Sequence, residues 1–276
     1  MGRVEGKVAL ITGAARGQGR SHAVRLAEEG ADIVAVDICH DIDTVKYHMG
    51  TAEELAETAA LVEKLGKRIV TRQVDVRDQA GLDAAVDDAY SNFGRLDIVS
   101  ANAGVASYGF LWELSEAEWQ ETIDVMLTGA WHTLKAVSPR MIEAGNGGAV
   151  TITSSVAALI GAGKISHYAA AKAGILGLMH TAANELAPHS IRVNAIAPGN
   201  IETELATNPI TRQAIFPSIE NPTQEQVDHV LRVLHALPVT YVQPVDISNA
   251  LLWLSSDEAR YVTGVLIPVD AGWMIN

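Results

Sequence analysis

Ser155, Tyr168 and Lys172 fall within nineteen residues, "SSVAALIGAGKISHYAAAK" (154–172). The last two are four apart, so on a helix they share one face and the Lys172 ammonium reaches the neighbourhood of the Tyr168 hydroxyl. A free tyrosine, with a pKa near 10, is a poor base at neutral pH, and lowering it by about 2 to 3 units takes roughly 3 to 4 kcal/mol. A unit positive charge about 4 Å away at intermediate dielectric supplies that order of energy. The expectation is a phenol acidified by an ammonium, taking a proton from an alcohol or returning it to a carbonyl, while Ser155 holds the oxygen with a hydrogen bond. Among six tyrosines in 276 residues such a pair arises by chance about 0.15 times, so its surroundings must decide. The competing reading is a serine at a strand end beside a helix with surface Tyr and Lys.

Proton transfer of this kind needs a hydride acceptor, and "TGAARGQG" (12–19) offers a place for one. Gly13, Gly17 and Gly19 permit a tight turn between a strand and a helix. With Arg16 and Gln18 between them, they bring backbone N–H groups to a pyrophosphate at the positive helix end. Asp37 closes the next strand eighteen residues later, where a carboxylate accepts hydrogen bonds from the adenosine ribose. A 2′-phosphate at contact range there would meet a repulsion of about 4 kcal/mol per charge pair. NAD is therefore expected over NADP, although Arg16 argues mildly the other way because a guanidinium can pair with that phosphate. "VDV" (74–76) places Asp75 and the Val76 backbone by the adenine, and "NAG" (102–104) offers Asn102, Ala103 and Gly104 near the cofactor.

Apolar runs rich in Val and Ile must position these groups. Residues 7–12, 32–37, 68–76, 96–104, 149–155, 191–199 and 264–272 read as strands buried on both faces, alternating with helical stretches. Ser115 and Glu118 form a capping box, and Gly30, Gly66 and Gly94 can stop helices. This order predicts an α/β fold: a single-domain doubly wound parallel sheet with helices on both faces. Two segments interrupt the alternation. Residues 38–50, "ICHDIDTVKYHMG", form a long insertion that could cover the adenosine end, and residues 200–245 carry five prolines among apolar side chains, as a lid would. Leu205, Ile210, Phe216, Leu234, Leu237 and Tyr241 are its candidate pocket residues.

The bulk properties narrow the partners. A formal net charge of −13 opposes general attraction to nucleic acid or anionic lipid, so a small alcohol or ketone is expected. The start, "MGRVEGKVALITG", lacks the apolar segment of a signal peptide and no long apolar run offers a membrane span, which makes the cytosol the default. The lone Cys39 excludes an internal disulfide, and the histidines show no HxxxH or HExxH spacing, so no metal is expected. His167 reads as a helix-start residue.

Together these motifs resemble the short-chain dehydrogenase/reductase family over essentially the whole chain: "TGAARGQG", Asp37, Asp75 and Val76, "NAG", Ser155 thirteen residues before Tyr168, Tyr168/Lys172, and "NAIAPGNIET" (194–203). The resemblance implies a Rossmann-type subunit in which Lys172 also bonds the nicotinamide ribose. It further implies a cofactor segment of Pro198, Gly199, Ile201 and Thr203, the last two touching the carboxamide, and assembly as a homotetramer. One departure stands out: Met126, in "DVMLTGAW", occupies the place where this family commonly presents an Asn that completes a proton relay. A thioether cannot donate, so backbone carbonyls and water are expected to carry the relay. The opening segment, the insertion and "SDEARYVTGVLIPVDAG" also resemble the carveol dehydrogenase group, described as mycofactocin-coupled. That likeness implies a terpenoid-like secondary alcohol and a tightly held NAD recycled by an external redox carrier. The alternatives are an NADPH-dependent ketoreductase, which Arg16 permits, and a nucleotide sensor with weakened catalysis, for which Met126 is the hint.

Overall fold

The first strand shows how the core divides. In β1 (Val8–Thr12) Val8 and Leu10 enter one apolar cluster while Ala9 and Ile11 enter another, because successive strand side chains point to opposite faces. The computed structural model describes residues 2–276. Six more strands follow: β2 (Asp32–Asp37), β3 (Ile69–Gln73), β4 (Ile98–Ala101), β5 (Gly148–Thr153), β6 (Ile191–Pro198) and β7 (Leu266–Val269). They form one sheet, entirely parallel, in the order β3-β2-β1-β4-β5-β6-β7. The order reverses between β1 and β4, and the crevice at the carboxyl ends there is where such sheets take ligands.

The helices cover both faces. On one side α1 (Gly17–Glu28), α2 (Ala52–Lys64) and α10 (Pro244–Ser255) pack through Leu26, Val62 and Leu251. On the other, α3 (Gln79–Phe93), α5 (Gly129–Ala144) and α6 (Ser166–Leu186) contribute Leu82, Val137 and Ile175. The segment before α5 forms α4 (Glu116–Ile123), with the expected Ser115/Glu118 capping box, and then a π-helical turn at Asp124–Thr128 that contains Met126. One expected helix is thus interrupted.

Three sequence expectations need correction. The edge strands β3 and β7 are not buried on both faces, since each has a neighbour on one side only. The strand drawn over 68–76 ends at Gln73, so Asp75 and Val76 lie beyond the sheet. The strand drawn over 96–104 stops at Ala101, because the next backbone N–H groups turn to the side chain of Thr12.

The two irregular segments differ from each other. Residues 38–50 have no helix or strand and are tied internally by Asp41, which accepts from the Met49 N–H at 2.7 Å and faces His48 Nδ1 at 3.0 Å. Residues 200–245 instead carry α7 (Glu204–Thr207), α8 (Pro209–Ile215) and α9 (Gln224–Leu234). Asn208 caps α8 by accepting from the Thr211 N–H at 2.9 Å, and a Thr223/Gln226 capping box starts α9.

Candidate active site

The turn after β1 is dictated by steric fit. At Gly19 an added Cβ would lie 1.9 Å from the Gly13 carbonyl oxygen, and at Gly13 it would lie 2.9 Å from the Ala103 Cα. Gly13 and Gly17 also have φ of +69° and +54°, values that side chains strain to adopt. Gln18 Oε1 is buried there with no protein partner. Asp37, buried at the end of β2, accepts from the Ala15 N–H through Oδ2 at 2.9 Å and from the Cys39 N–H through Oδ1 at 3.1 Å. It therefore buttresses the glycine turn.

Thr12 holds the next element. Its Oγ1 accepts from the N–H groups of Asn102 and Ala103 at 3.0 and 3.1 Å, while Asn102 Nδ2 donates to the Thr12 carbonyl at 3.0 Å. This clamp joins "NAG" to β1. Thr153 Oγ1 donates to Asn102 Oδ1 at 3.3 Å, extending the clamp to β5.

Beyond β5 come the reactive groups. Ser155 Oγ accepts from the Ala157 N–H at 3.1 Å, and α6 carries Tyr168 and Lys172. Lys172 is buried, with Nζ donating to the Thr153 carbonyl at 2.7 Å and lying 5.6 Å from the centre of the Tyr168 ring. Ser154 Oγ donates to the Lys172 carbonyl at 3.0 Å, fixing the helix against the strand end. Burial pushes Tyr168 up to about 12, with the Ser155 hydroxyl opposing this in part, and pushes Lys172 down to about 8. Burial thus raises the phenol, and the Ser155 hydroxyl is what opposes that rise.

One cavity of about 610 Å³ collects these residues: Gly13, Arg16, Gly17, Gln18, Gly19, Asp37, Asp75, Val76, Asn102, Ala103, Gly104, Ser155, Tyr168, Lys172, Pro198, Gly199, Ile201 and Thr203 all border it. Every sequence-selected position is brought there, and the Arg16 and Asp75 side chains, like that of Asp37, are engaged by protein partners. Arg16 donates to the His48 carbonyl of the insertion, so its guanidinium closes the insertion rather than standing free for a phosphate. Asp75 accepts from Arg77 Nε at 2.8 Å; burial alone would raise its carboxyl, but the guanidinium outweighs it and holds the carboxyl below its ordinary range. Met126 is buried on the π turn, and a Cβ added at Gly104 would lie 3.7 Å from both its Sδ and Lys172 Nζ.

The candidate pocket residues of 200–245 divide between the cavity wall and other surroundings. Leu205 and Leu234 border the cavity. Ile210 and Leu237 are exposed instead, at 38% and 58%, Phe216 lies off the cavity, and Tyr241 borders a separate polar recess with Arg212 and Asp228. Tyr47, Met49 and Tyr108 border the main cavity and were not selected from sequence. Tyr47 OH accepts from the Ala106 N–H at 3.1 Å, so the insertion reaches past the adenosine end to the loop after β4. An apolar-aromatic pattern inside the insertion was the available signal. Cys39 is a half-buried loop thiol, and His167 sits at the second position of α6 with Nε2 2.7 Å from Ser107 Oγ. Among the described residues no group of three His, Cys, Asp or Glu is arranged to hold a metal ion.

The model of short chain dehydrogenases matches residues 7–214. The chain belongs to the short-chain dehydrogenase family. It is 52% identical over 273 residues to (-)-trans-carveol dehydrogenase of Rhodococcus erythropolis, with 99% of each chain covered. Among solved structures, a carveol dehydrogenase from Mycobacterium avium in complex with NAD superposes with a TM-score of 0.98 at 51% identity, covering all of both chains. A short-chain dehydrogenase from Mycobacterium paratuberculosis bound to NAD superposes at 0.91 with 42% identity, again over both full chains. This dehydrogenase thus shares the whole fold of these relatives, residues 38–50 and 200–245 included.

Proposed function

We propose that this dehydrogenase transfers hydride between NAD and an apolar, terpenoid-like secondary alcohol or its ketone. The observation that carries the reading is the single cavity running from Asp37 to the Ser155, Tyr168 and Lys172 cluster. Its residues fit a dinucleotide: glycines that admit no side chain at the turn, an orphaned Gln18 side chain, and a carboxylate at the ribose position. The NAD-bound relatives support that cofactor for this chain, and the carveol dehydrogenase at 52% identity supports the substrate class.

In this reading Ser155 holds the substrate oxygen, Tyr168 exchanges its proton, and Lys172, anchored on the Thr153 carbonyl, carries the positive charge beneath the phenol. Bound NAD supplies the hydride acceptor and, when oxidised, a second positive charge beside Tyr168. Burial holds the phenol up at about 12, and a positive charge nearby would favour its ionisation. Pro198, Gly199, Ile201 and Thr203 line the nicotinamide end, while Asp75, Val76 and the "NAG" residues flank the cofactor's middle and adenine. The insertion, closed by Arg16 on His48 and by Tyr47 on Ala106, keeps NAD in place for recycling by an external, mycofactocin-like redox carrier. Exposed Trp119 and Trp131 on α4 and α5 support assembly as a homotetramer, and the reading places the enzyme in the cytoplasm; among the described residues no helix is long and apolar enough to cross a membrane.

The test is oxidation of carveol with NAD by the wild type and by Tyr168→Phe. Loss of about 10²- to 10⁴-fold in kcat is expected, the range for a positioned acid-base group. Turnover in the variant within a few-fold of wild type would refute the assignment.

A further inference from the structure

Side chains from the loop after β4, from the turn before α6 and from α8 meet along the wall of the cavity. Tyr108, on the loop after β4, has its hydroxyl 3.0 Å from Thr211 Oγ1 on α8. The direction of that bond is settled by the partners of Thr211. Its one proton goes to the Leu205 carbonyl at 2.8 Å, and it also accepts from Asn208 Nδ2 at 3.0 Å. Tyr108 therefore donates. The second contact comes from Lys164, just before α6, whose Nζ donates to the Ala214 carbonyl in the last turn of α8 at 3.4 Å. A cation at that end of a helix also meets its negative pole.

The two anchors are themselves joined. Gly109 N–H donates to the Lys164 carbonyl at 3.0 Å, and Ser107 Oγ lies 2.7 Å from His167 Nε2. Lys164 holds a φ of +67°, a left-handed conformation that costs a non-glycine residue free energy and persists where surrounding contacts fix it. Both loops adjoin the reactive groups, one following "NAG" and the other leading into Tyr168. Tyr108, Lys164, Thr211 and Ala214 all border the cavity.

We propose that Tyr108 and Lys164 form a two-point latch that docks α8 onto the loops flanking Ser155 and Tyr168, so that substrate entry and product exit require both contacts to open. The proposal rests on the reading of residues 200–245 as a substrate lid, and it deepens that reading by naming what holds the lid shut. It makes Tyr108 and Lys164 positioning residues, acting on the substrate through α8.

Hydrogen–deuterium exchange of the full-length protein reads the latch without reference to turnover. Tyr108→Phe keeps the ring and removes the donated proton. Lys164→Asn suits the left-handed backbone while lacking the reach to Ala214. Each single variant is expected to raise exchange of the α8 amides about fivefold, and the pair together more than about tenfold, with β1, β4 and β5 unchanged. Assayed with carveol and NAD, the double variant should raise KM about tenfold while kcat changes less than about twofold. Exchange within twofold of wild type in the double variant would overturn the latch, as would a rise spread equally over the sheet. A wild type inactive on carveol, with α8 exchange responding as expected, would fault the substrate assignment and leave the latch standing.

Discussion

The glycine turn after β1 and the lid after β6 border the same cavity, yet they are held by different physics. The turn is fixed by backbone against backbone: the Gly19 Cα packs on the Gly13 carbonyl, the Gly13 Cα on Ala103, and Thr12 and Asp37 clamp it from both sides. The segment after β6 is fixed by side chains: Tyr108 donates to the Thr211 hydroxyl, Thr211 to the Leu205 carbonyl, and the Lys164 ammonium to the Ala214 carbonyl. Backbone packing tolerates no added atom, whereas a few hydrogen bonds of about 1 kcal/mol each can open and reclose. The first arrangement makes a rigid cradle, the second a segment whose contacts can be broken and remade.

The largest expected effect comes from breaking the rigid member of this pair. Gly19→Ala would place its Cβ against backbone that cannot yield without moving the turn. A cost of about 3 kcal/mol, at the upper end for overpacking, corresponds to roughly a hundredfold loss of NAD affinity. Calorimetric titration of NAD-free protein checks this, and affinity within about threefold of wild type would mean that the turn is softer than its packing indicates.

A smaller effect tests what the rigid region gives up for function. Lys172 is buried and its pKa is lowered from 10.5 to about 8 by desolvation. Protonation is therefore disfavoured in the folded state, and this costs stability below the unfolded pKa. The penalty grows as pH falls from 10.5 and is complete below about 8, where it reaches about 3 kcal/mol. Lys172→Met removes the charge but leaves the Thr153 carbonyl without its donor, a loss of about 1 kcal/mol. The cofactor-free variant should thus be more stable than wild type by about 2 kcal/mol at pH 7, with the advantage shrinking towards pH 10.5, while activity is lost. Denaturant unfolding at the two pH values measures it.

The same contrast explains what could be read from the chain alone. Gly13, Gly17, Gly19, Asp37, Ser155, Tyr168 and Lys172 were legible because their chemistry demands a residue type at a fixed distance along the sequence, and all of them border the cavity. The parallel, doubly wound sheet followed from the alternation of Val- and Ile-rich runs with helices. Thr12, Tyr47 and Tyr108 were not legible, since each acts on a partner many residues away that only the fold supplies. Arg16 and Asp75 were read as facing ligand, but neighbours satisfy them first: the His48 carbonyl and the Arg77 guanidinium. The burial that raises the phenol was not legible for a related reason. Charge spacing is visible in a sequence, and burial is not.

The smallest effect belongs to the lid's apolar lining, and there two leucines of one segment separate packing from exposure. Leu234 ends α9 on the cavity wall beside Leu231, whereas Leu237, three residues on, is 58% exposed and borders no part of it. Leu234→Ala removes apolar surface from a half-buried site, so about 1 kcal/mol is expected, less than a fully buried leucine would cost. On the lid reading proposed above, that energy should fall on substrate binding more than on global unfolding: about a fivefold rise in KM for carveol, with kcat and thermal midpoint nearly unchanged. Leu237→Ala should leave all three as they are. Equal KM shifts in the two variants would mean that the closed lid sits differently over the cavity, with Leu237 turned inward when substrate is bound.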